Sequence, residues 1–518
     1  MAIANYFQRN TTAASQLLQN FDYDGFVRLL NRHRIGLVID GLAAKSAEGA
    51  ATADLAVRLL ARFYPKLAIV AADVRATGEV VKLRELAMAI NPALSITGTL
   101  DPMTHCLVIG NTAVTLKRKQ ARVIYVGSAN WIVKLSLKKP VGSGTTKNPF
   151  GAGVAACLGV ANLFRVVFSK QLPGSTLDNE VAFSIVTLGL QGTKAVRGYK
   201  AAAIGRAFLV GAGAIGNGAL WALKRGGATG ELCVVDPQKL DLSNMQRYVM
   251  AVCDDVDISK TTLAKRWLND SKTLTVVPCP LSWDDYARGS DWHFDRVLVA
   301  LDTAEARIGV QASLPKWTAN AWTLDSGIGV SRHHFARDSA CLACLYLPTG
   351  VVPSEDELVA MALGFQTTPQ SQELMDIRMR LDRNVPTERG FLALIAAKKN
   401  VPLDRLLPFE GRSLRELYTE GVCGGQILGI VVDGRETRAE VPMAFQSAMA
   451  GILLAAELAL DVSGLRNADF PAVTRIDLQQ PLPAIPSSPR GKDPDGRCIC
   501  QDQDYIAAYT EKYGPPKN

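Results

Sequence analysis

The chain of 518 residues has only five histidines, and none stands at a metal-ligand spacing. His333 and His334 are adjacent and would point to opposite sides of a strand, which suits packing or a surface role. Long apolar runs are also missing. The longest, residues 448–460, is too short to cross a bilayer and is interrupted by Glu457, so a buried core helix is expected there and no membrane segment. Residues 1–12 hold neither an apolar signal core nor a cleavage pattern, which argues against secretion and predicts a cytoplasmic protein. No Lys/Arg block is interleaved with aromatics, so a nucleic-acid partner is not expected, and a net charge of +8 over this length implies no partner by itself.

What is present describes an ordinary soluble, globular chain: 48% hydrophobic, 20% charged and 7% aromatic residues. The length predicts roughly two to four domains. Ten cysteines in such a chain are buried thiols, metal ligands or nucleophiles rather than a disulfide framework, and their spacing must decide.

The first half opens with polar, helix-like sequence. A strand candidate at 35–40 then runs into Gly41 and an Ala-rich helix pattern through Arg62, and a second strand follows at 67–72, the start of a βαβ unit. Residues 104–111 and 122–127 add strands, 151–168 reads as a long helix, and 173–175 as a linker. The second half repeats the plan: a strand at 207–210, a glycine loop, a helix to about Arg225 and a strand at 232–235 ending on Asp236. The strand 296–301 and the helix 442–460 echo 122–126 and 151–168. This order of elements predicts an α/β fold of tandem Rossmann-like halves, the alternative being a chance likeness between two α/β domains. The expected boundaries are 1–195 for the first half, 196–345 and 439–518 for the two parts of the second, and 346–438 for a mainly helical, cysteine-bearing insertion.

The loop Gly211-Ala212-Gly213-Ala214-Ile215-Gly216 lies after a strand and before a helix. There the first glycine makes the turn, the second admits a phosphate, and the helix N-terminus offers N–H groups. Asp236 closes the next strand, where a carboxylate accepts hydrogen bonds from ribose hydroxyls. This motif alone leaves an ATP site, an NAD-dependent dehydrogenase and a Rossmann domain without ligand all open.

The run from Asp236 through Asp241 and Asn244 to Arg247, then Lys260, then 300–307 with Asp302, resembles the adenylation domain of the ThiF, MoeB and ubiquitin-activating enzyme family. The resemblance covers about 201–345 and resumes at 440. It implies a Rossmann-like adenylation fold that uses ATP and Mg²⁺. Attack of a carboxylate on the α-phosphate builds negative charge that a fixed arginine and lysine stabilise, which makes Arg247 and Lys260 the candidates. Asp302, at a strand end, suits Mg²⁺ beside phosphates. The resemblance adds Asn244 to the pocket, with Asp241 as a further member or simply a turn cap. In that family an arginine is borrowed from the partner half. Arg9 is the candidate, and an exposed helix residue is its other reading. The first half has no G-x-G-x-x-G after Asp40 and resembles the inactive half that completes a pseudodimer.

Cys341 and Cys344 form a C-x-x-C pair and Cys498 and Cys500 a C-x-C pair, together enough thiolates for a structural zinc ion; a redox-active or simply buried C-x-x-C is the alternative. The family's second pair is usually C-x-x-C, so this is a departure. Within the insertion, Cys423 stands in Gly421-Val422-Cys423-Gly424-Gly425, where small neighbours expose a nucleophile able to take an acyl group from an adenylate. Cys253 is the alternative nucleophile, while Cys106, Cys157, Cys233 and Cys279 look structural. The resemblance implies adenylation of the C-terminal carboxylate of a ubiquitin-like protein, a thioester on Cys423 and handover to a conjugating enzyme, without a C-terminal ubiquitin-fold domain after Cys500 to recruit it. The composition looks bacterial, and similar enzymes occur in bacterial conjugation operons, including those of anti-phage defence. Activation of a sulfur carrier for thiamine or molybdopterin synthesis, and a non-catalytic scaffold for a ubiquitin-like partner, are the competing readings. The dehydrogenase is the poorest, because no hydride-transfer acid or base presents itself.

Overall fold

A computed structural model describes residues 6–515 apart from Pro102, 119–120, Pro173, 191–197, 270–272, Ala336, 349–352, 419–420, 422–429, 433–434, 438–440, Ala468 and Ile485. The chain divides into two compact units, Met1–Leu347 with Pro442–Asn518, and Pro348–Val441.

The larger unit holds two eight-stranded sheets. The first comprises β1 (Ile35–Ile39), β2 (Lys66–Ala71), β3 (Ser95–Thr97), β4 (His105–Ile109), β5 (Arg122–Ala129), β6 (Ile132–Ser136), β7 (Glu180–Ser184) and β8 (Gly189–Leu190), in the order β3-β2-β1-β4-β5-β6-β7-β8. The second comprises β9 (Ala203–Val210), β10 (Thr229–Val235), β11 (Leu274–Cys279), β12 (Arg296–Val299), β13 (Trp317–Thr323) and β14 (Gly327–His333). After β15 (Ile430–Val432) and β16 (Arg435–Thr437), which pair in the smaller unit, β17 (Val473–Asp477) and β18 (Ser487–Ser488) complete it. Its order, β11-β10-β9-β12-β13-β14-β17-β18, reproduces the first. In both, the first five positions are parallel and the last three strands return antiparallel. All five residues of β1 are buried, as a parallel strand covered on both faces requires.

Helices α1 (Phe7–Leu17) and α2 (Tyr23–Arg32) precede β1; α3 (Gly41–Lys45) and α4 (Ala47–Phe63) join β1 to β2, α5 (Thr77–Ile90) joins β2 to β3, and α6 (Pro149–Val167) joins β6 to β7. In the second half α7 (Ala214–Gly226) joins β9 to β10, α8 (Lys260–Leu268) precedes β11, and α9 (Trp283–Arg288) and α10 (Ala304–Ala312) flank β12. The smaller unit has α11 (Glu355–Leu363), α12 (Gln372–Asp382), α13 (Arg389–Lys399) and the single turn α14 (Leu414–Glu416) around its own core of Val359, Leu363, Ile377, Leu392, Leu406 and Leu414. Then come α15 (Ala444–Val462), between β14 and β17, and α16 (Gln503–Tyr513) near the end.

Three local expectations change. By sheet position β12 is the counterpart of β4, not of the strand at 122–126, which matches β13; short apolar strands look alike until their neighbours are known. The stretch 173–175 does not separate domains, because β7 and β8 beyond it belong to the first sheet. The helix over 448–460 extends to 19 residues, and it and α6 are long and apolar enough to cross a membrane. Both are buried, as expected for 448–460, with 94% of the apolar window covered in α6 and 89% in α15, where they pack on each other and on α4 and α7 at the heart of the unit.

Candidate functional site

The site is built where β9 runs into α7. Gly211 has φ of +94°, and a Cβ there would lie 2.5 Å from the carbonyl oxygen of Ala300, so the turn needs glycine for both conformation and space. Gly216 packs the first turn of α7 against the carbonyl of Gly211. Gly213 caps α7, and a Cβ there would meet only the Tyr248 hydroxyl, at 3.5 Å, which leaves room over the loop. The carboxylate of Asp236 accepts from the Ala212 N–H at 2.8 Å and the Gln238 N–H at 2.9 Å, bracing loop and strand end together. Lys260, at the start of α8, is buried: its ammonium donates to Gln238 Oε1 at 2.6 Å and stands 3.9 Å from Asp236.

The segment after β10 turns through a 3₁₀ helix, Leu242–Gln246. Asp241 caps it, accepting from the Ser243 N–H at 2.8 Å, and Asn244 Oδ1 accepts the Asp241 N–H at 3.1 Å. Asp241 is therefore a turn cap, and Asn244 is held by the same reciprocal pair. Arg247 follows. Its guanidinium lies 6.0 Å from the Tyr248 ring, and the Lys260 ammonium 5.5 Å from the same ring. Burial lowers the Arg247 pKa, opposed by Tyr248 and Asp302. Burial also lowers that of Arg9, on α1; the Arg247 charge lowers it further, while Asp241 and Tyr248 raise it. The structure thus brings Arg9 to the same place as Arg247. Asp302, exposed past the end of β12, makes no hydrogen bond among the described residues.

Several residues that hold this place together carry no signal in the sequence. Asn217 donates to the carbonyls of Ala212 and Gly213, both at 3.1 Å, and accepts the Met250 N–H at 3.2 Å. Arg62, on α4 of the first half and 1% exposed, donates to the carbonyls of Met245 at 3.0 Å, Tyr248 at 2.7 Å and Ala251 at 2.5 Å. Arg58, one turn earlier, donates to the carbonyl of Val249 at 2.9 Å and pairs with Asp54. Asp54 in turn accepts from Trp221 of α7 at 2.7 Å. The first half therefore grips the segment that carries Arg247 by its backbone.

The ThiF family model matches residues 188–470, more than half of the chain, and this stretch contains the whole glycine loop with Arg247 and Lys260. The chain belongs to the ThiF family. A second model, Prokaryotic E2 family C, matches residues 38–169 of the half that precedes the ThiF region. The uncharacterized protein y4jF of Sinorhizobium fredii is 43% identical over 517 residues, 99% of this chain and 98% of that protein. The adenylyltransferase and sulfurtransferase UBA4 of Candida albicans is 26% identical over 230 residues, 42% of this chain and 51% of UBA4, so the chain spans about half the length of that relative. The crystal structure of E. coli MccB with selenomethionine MccA is similar at 15% identity and a TM-score of 0.34, over 56% of this chain and 65% of MccB.

The ThiF half also contains the paired cysteines. The Sγ atoms of Cys341, Cys344, Cys498 and Cys500 all lie within 4.8 Å of one another and all four residues are buried. Cys341 is 3.8 Å from Cys344 and 3.5 Å from Cys498, and Cys344 is 3.5 Å from Cys500. A tetrahedron of ~2.3 Å Zn–S bonds sets sulfur spacings of about 3.8 Å, so these four thiols could hold zinc with little movement. The C-x-C spacing of the second pair does not prevent this, since Cys500 lies on a turn of 3₁₀ helix. Cys423 lies outside the described residues. Cys253 is partly buried beside the first half and donates to the Ile90 carbonyl at 3.2 Å; burial raises its pKa. Cys233 and Cys279, on neighbouring strands, are 3.0 Å apart.

Proposed function

We propose that this ThiF-family protein uses ATP to adenylate the terminal carboxylate of a protein partner. What carries this reading is the gathering of Arg9, Arg247 and Lys260 beside an open glycine loop. Burial works against the charge of both Arg9 and Arg247, and the Arg247 charge adds to it at Arg9; a bound oligophosphate would relieve both. In this reading Asp236 receives the ribose, the loop and the N-terminus of α7 receive the phosphates, and Asp302 would hold Mg²⁺, which offsets phosphate charge when bound. The partner's carboxylate oxygen attacks the α-phosphorus, the bond to the bridging oxygen breaks, and pyrophosphate leaves with its charge met by Arg247 and Lys260.

The finer reading takes the partner to be ubiquitin-like and Cys423 to be the thiolate that displaces AMP, leaving a thioester for a conjugating enzyme. Cys253 suits that role less, being hydrogen-bonded and raised in pKa. The family model over 38–169 bears the name of an E2, yet the two cysteines in that stretch, Cys106 and Cys157, are wholly buried, and burial pushes Cys106 up to about 12. We therefore assign the first half to docking and positioning, with no thioester of its own. The sulfurtransferase in the name of UBA4 favours a second reading, activation of a sulfur carrier, in which adenylation suffices.

The test incubates the protein with Mg-ATP and a candidate ubiquitin-like partner and follows ATP–pyrophosphate exchange and a thiol-sensitive protein adduct. Exchange with an adduct that disappears in Cys423→Ala supports the thioester reading. Exchange with no adduct supports the sulfur-carrier reading, and an adduct that survives Cys423→Ala moves the nucleophile to Cys253. A protein that binds every partner without exchange is a scaffold, and the proposal is then wrong.

A further inference from the structure

The first half has a second concavity, at the end of its sheet opposite to the turn after β1. A cavity of about 1050 Å³ opens there, walled by α2, the starts of β4 and β5, and the end of α6 with the chain that follows. Its charged lining has one sign: Arg28, Arg32, Arg118, Arg122 and Lys170 contribute cations, and among the described residues no Asp or Glu lines it. Arg28 makes only a loose, exposed pair with Asp22 at 3.6 Å. The other four have no carboxylate within ion-pair distance among the described residues.

The deeper wall is polar and fixed. Arg165 is 1% exposed and pairs with Asp178 at 2.5 Å, yet its Nε has no hydrogen-bond partner among the described residues. The rings of His33 and His105 stack at 5.2 Å. The Arg122 N–H donates to His105 Nδ1 at 3.1 Å, so that nitrogen is unprotonated and the neutral ring keeps its proton on Nε2. Burial, then His33, Arg122 and Arg118, pushes His105 down to about 4, and burial with Arg32 and Arg118 lowers His33.

A concave surface with several unpaired guanidiniums carries an uncompensated positive potential, focused by its low-dielectric walls. Guanidinium forks match phosphate oxygens bidentately. The volume is at the upper end of the ~300–1,000 Å³ usual for small-ligand sites. Among the described residues no Phe, Tyr or Trp lines it to form the stacking platform of a single-strand nucleic-acid groove. We propose that this cavity binds a small ligand through an oligophosphate group, carried either by inorganic oligophosphate or by a nucleoside polyphosphate, at a place separate from the glycine loop.

The experiment is calorimetric titration of the full chain with inorganic tripolyphosphate and, separately, with GTP at about 100 mM salt. In a Gly213→Asp background, where a carboxylate stands over the glycine loop, tripolyphosphate is expected to bind one-to-one, and at least tenfold more weakly once Arg118→Ala/Arg122→Ala or Arg28→Ala/Arg32→Ala is added. These four arginines are exposed, and unchanged melting temperatures will show that the variants fold. GTP binding no tighter than tripolyphosphate assigns the ligand to oligophosphates, and GTP at least tenfold tighter assigns it to nucleoside polyphosphates. The proposal falls if neither probe saturates at millimolar concentration. It also falls if binding in that background is kept in the arginine variants, or if tripolyphosphate cannot displace a bound single-stranded RNA.

Discussion

Ile39 of the first half and Val210 of the second occupy the same place in their sheets, each between the second strand and the fourth. The residue that follows separates the two halves. In the first it is Asp40, buried, whose carboxylate accepts from the Ala43 N–H at 2.8 Å, the Asn111 N–H at 2.5 Å and the Thr112 hydroxyl at 3.4 Å. In the second it is Gly211, which contributes no side chain, and the nearby carboxylate of Asp236 sits to one side of the loop. The first half thus supplies its own anion to the donors at the end of its sheet, while the second keeps the space over its loop open beside Arg9, Arg247 and Lys260. At the corresponding place, then, one copy of the scaffold has its backbone donors met by an internal carboxylate, and the other has a glycine.

This contrast can be broken or sharpened by substitution, and the largest effect is expected from Gly213→Asp. Its backbone is ordinary and its Cβ has room, so the protein should fold, but a carboxylate over the loop copies the first half. ATP–pyrophosphate exchange is expected to fall by roughly a thousandfold or more, to background; normal exchange would show that the loop is not where phosphate binds. Lys260→Ala should lower kcat/KM for exchange by roughly 10²- to 10³-fold, as loss of one fixed cation does. Arg62→Ala removes the first half's hold on Met245, Tyr248 and Ala251, and should cost about 3 kcal/mol in denaturant unfolding. It should also lower kcat about tenfold with a smaller change in the KM for ATP, because Arg247 loses its frame. Arg62→Lys should not restore kcat, since a single ammonium nitrogen cannot reach the four carbonyls that the guanidinium's three separate nitrogens bind. If the four thiols hold zinc, Cys344→Ser should reduce zinc content measured by mass spectrometry and lower the melting temperature while exchange stays within about threefold, which would separate a structural metal from the chemistry. Asp40→Gly is the smallest: exchange within about twofold of wild type, with a stability loss of about 2 kcal/mol for the donors left unpaired. A new ATP site appearing in that variant would mean that Asp40 alone keeps the first half shut.

The local patterns in the chain were enough to show the alternation of strands and helices, because apolar runs, glycine turns and caps act over a few residues. The glycine loop after β9 and Asp236 after β10 are of this kind. Sheet neighbours are another matter: in its residues β12 resembles the wrong strand of the first half, since short apolar segments carry no record of what lies beside them. The helix over 444–462 was legible as a core helix from its apolar run and Glu457, though its full length of 19 residues and its packing against α6 and α7 were not. Lys260 reads equally as a solvated helix residue or a buried cation until Gln238, Asp236 and Tyr248 are seen around it. Arg62 had no signal at all, because its partner Met245 lies 183 residues away and the groups it binds are backbone carbonyls, which every residue has.

The sequence by itself determined an α/β chain with a glycine loop, an acidic strand end and the residues that mark the ThiF family, because these depend on short spacings that the backbone reads locally. Tertiary structure alone decided that the two halves share one strand order, that Asp40 closes the first where Gly211 opens the second, and that Arg9 and Arg62 of the first half come to the loop of the second. Long-range placement of charge depends on how the helices of the two halves pack against each other, and no local pattern encodes that.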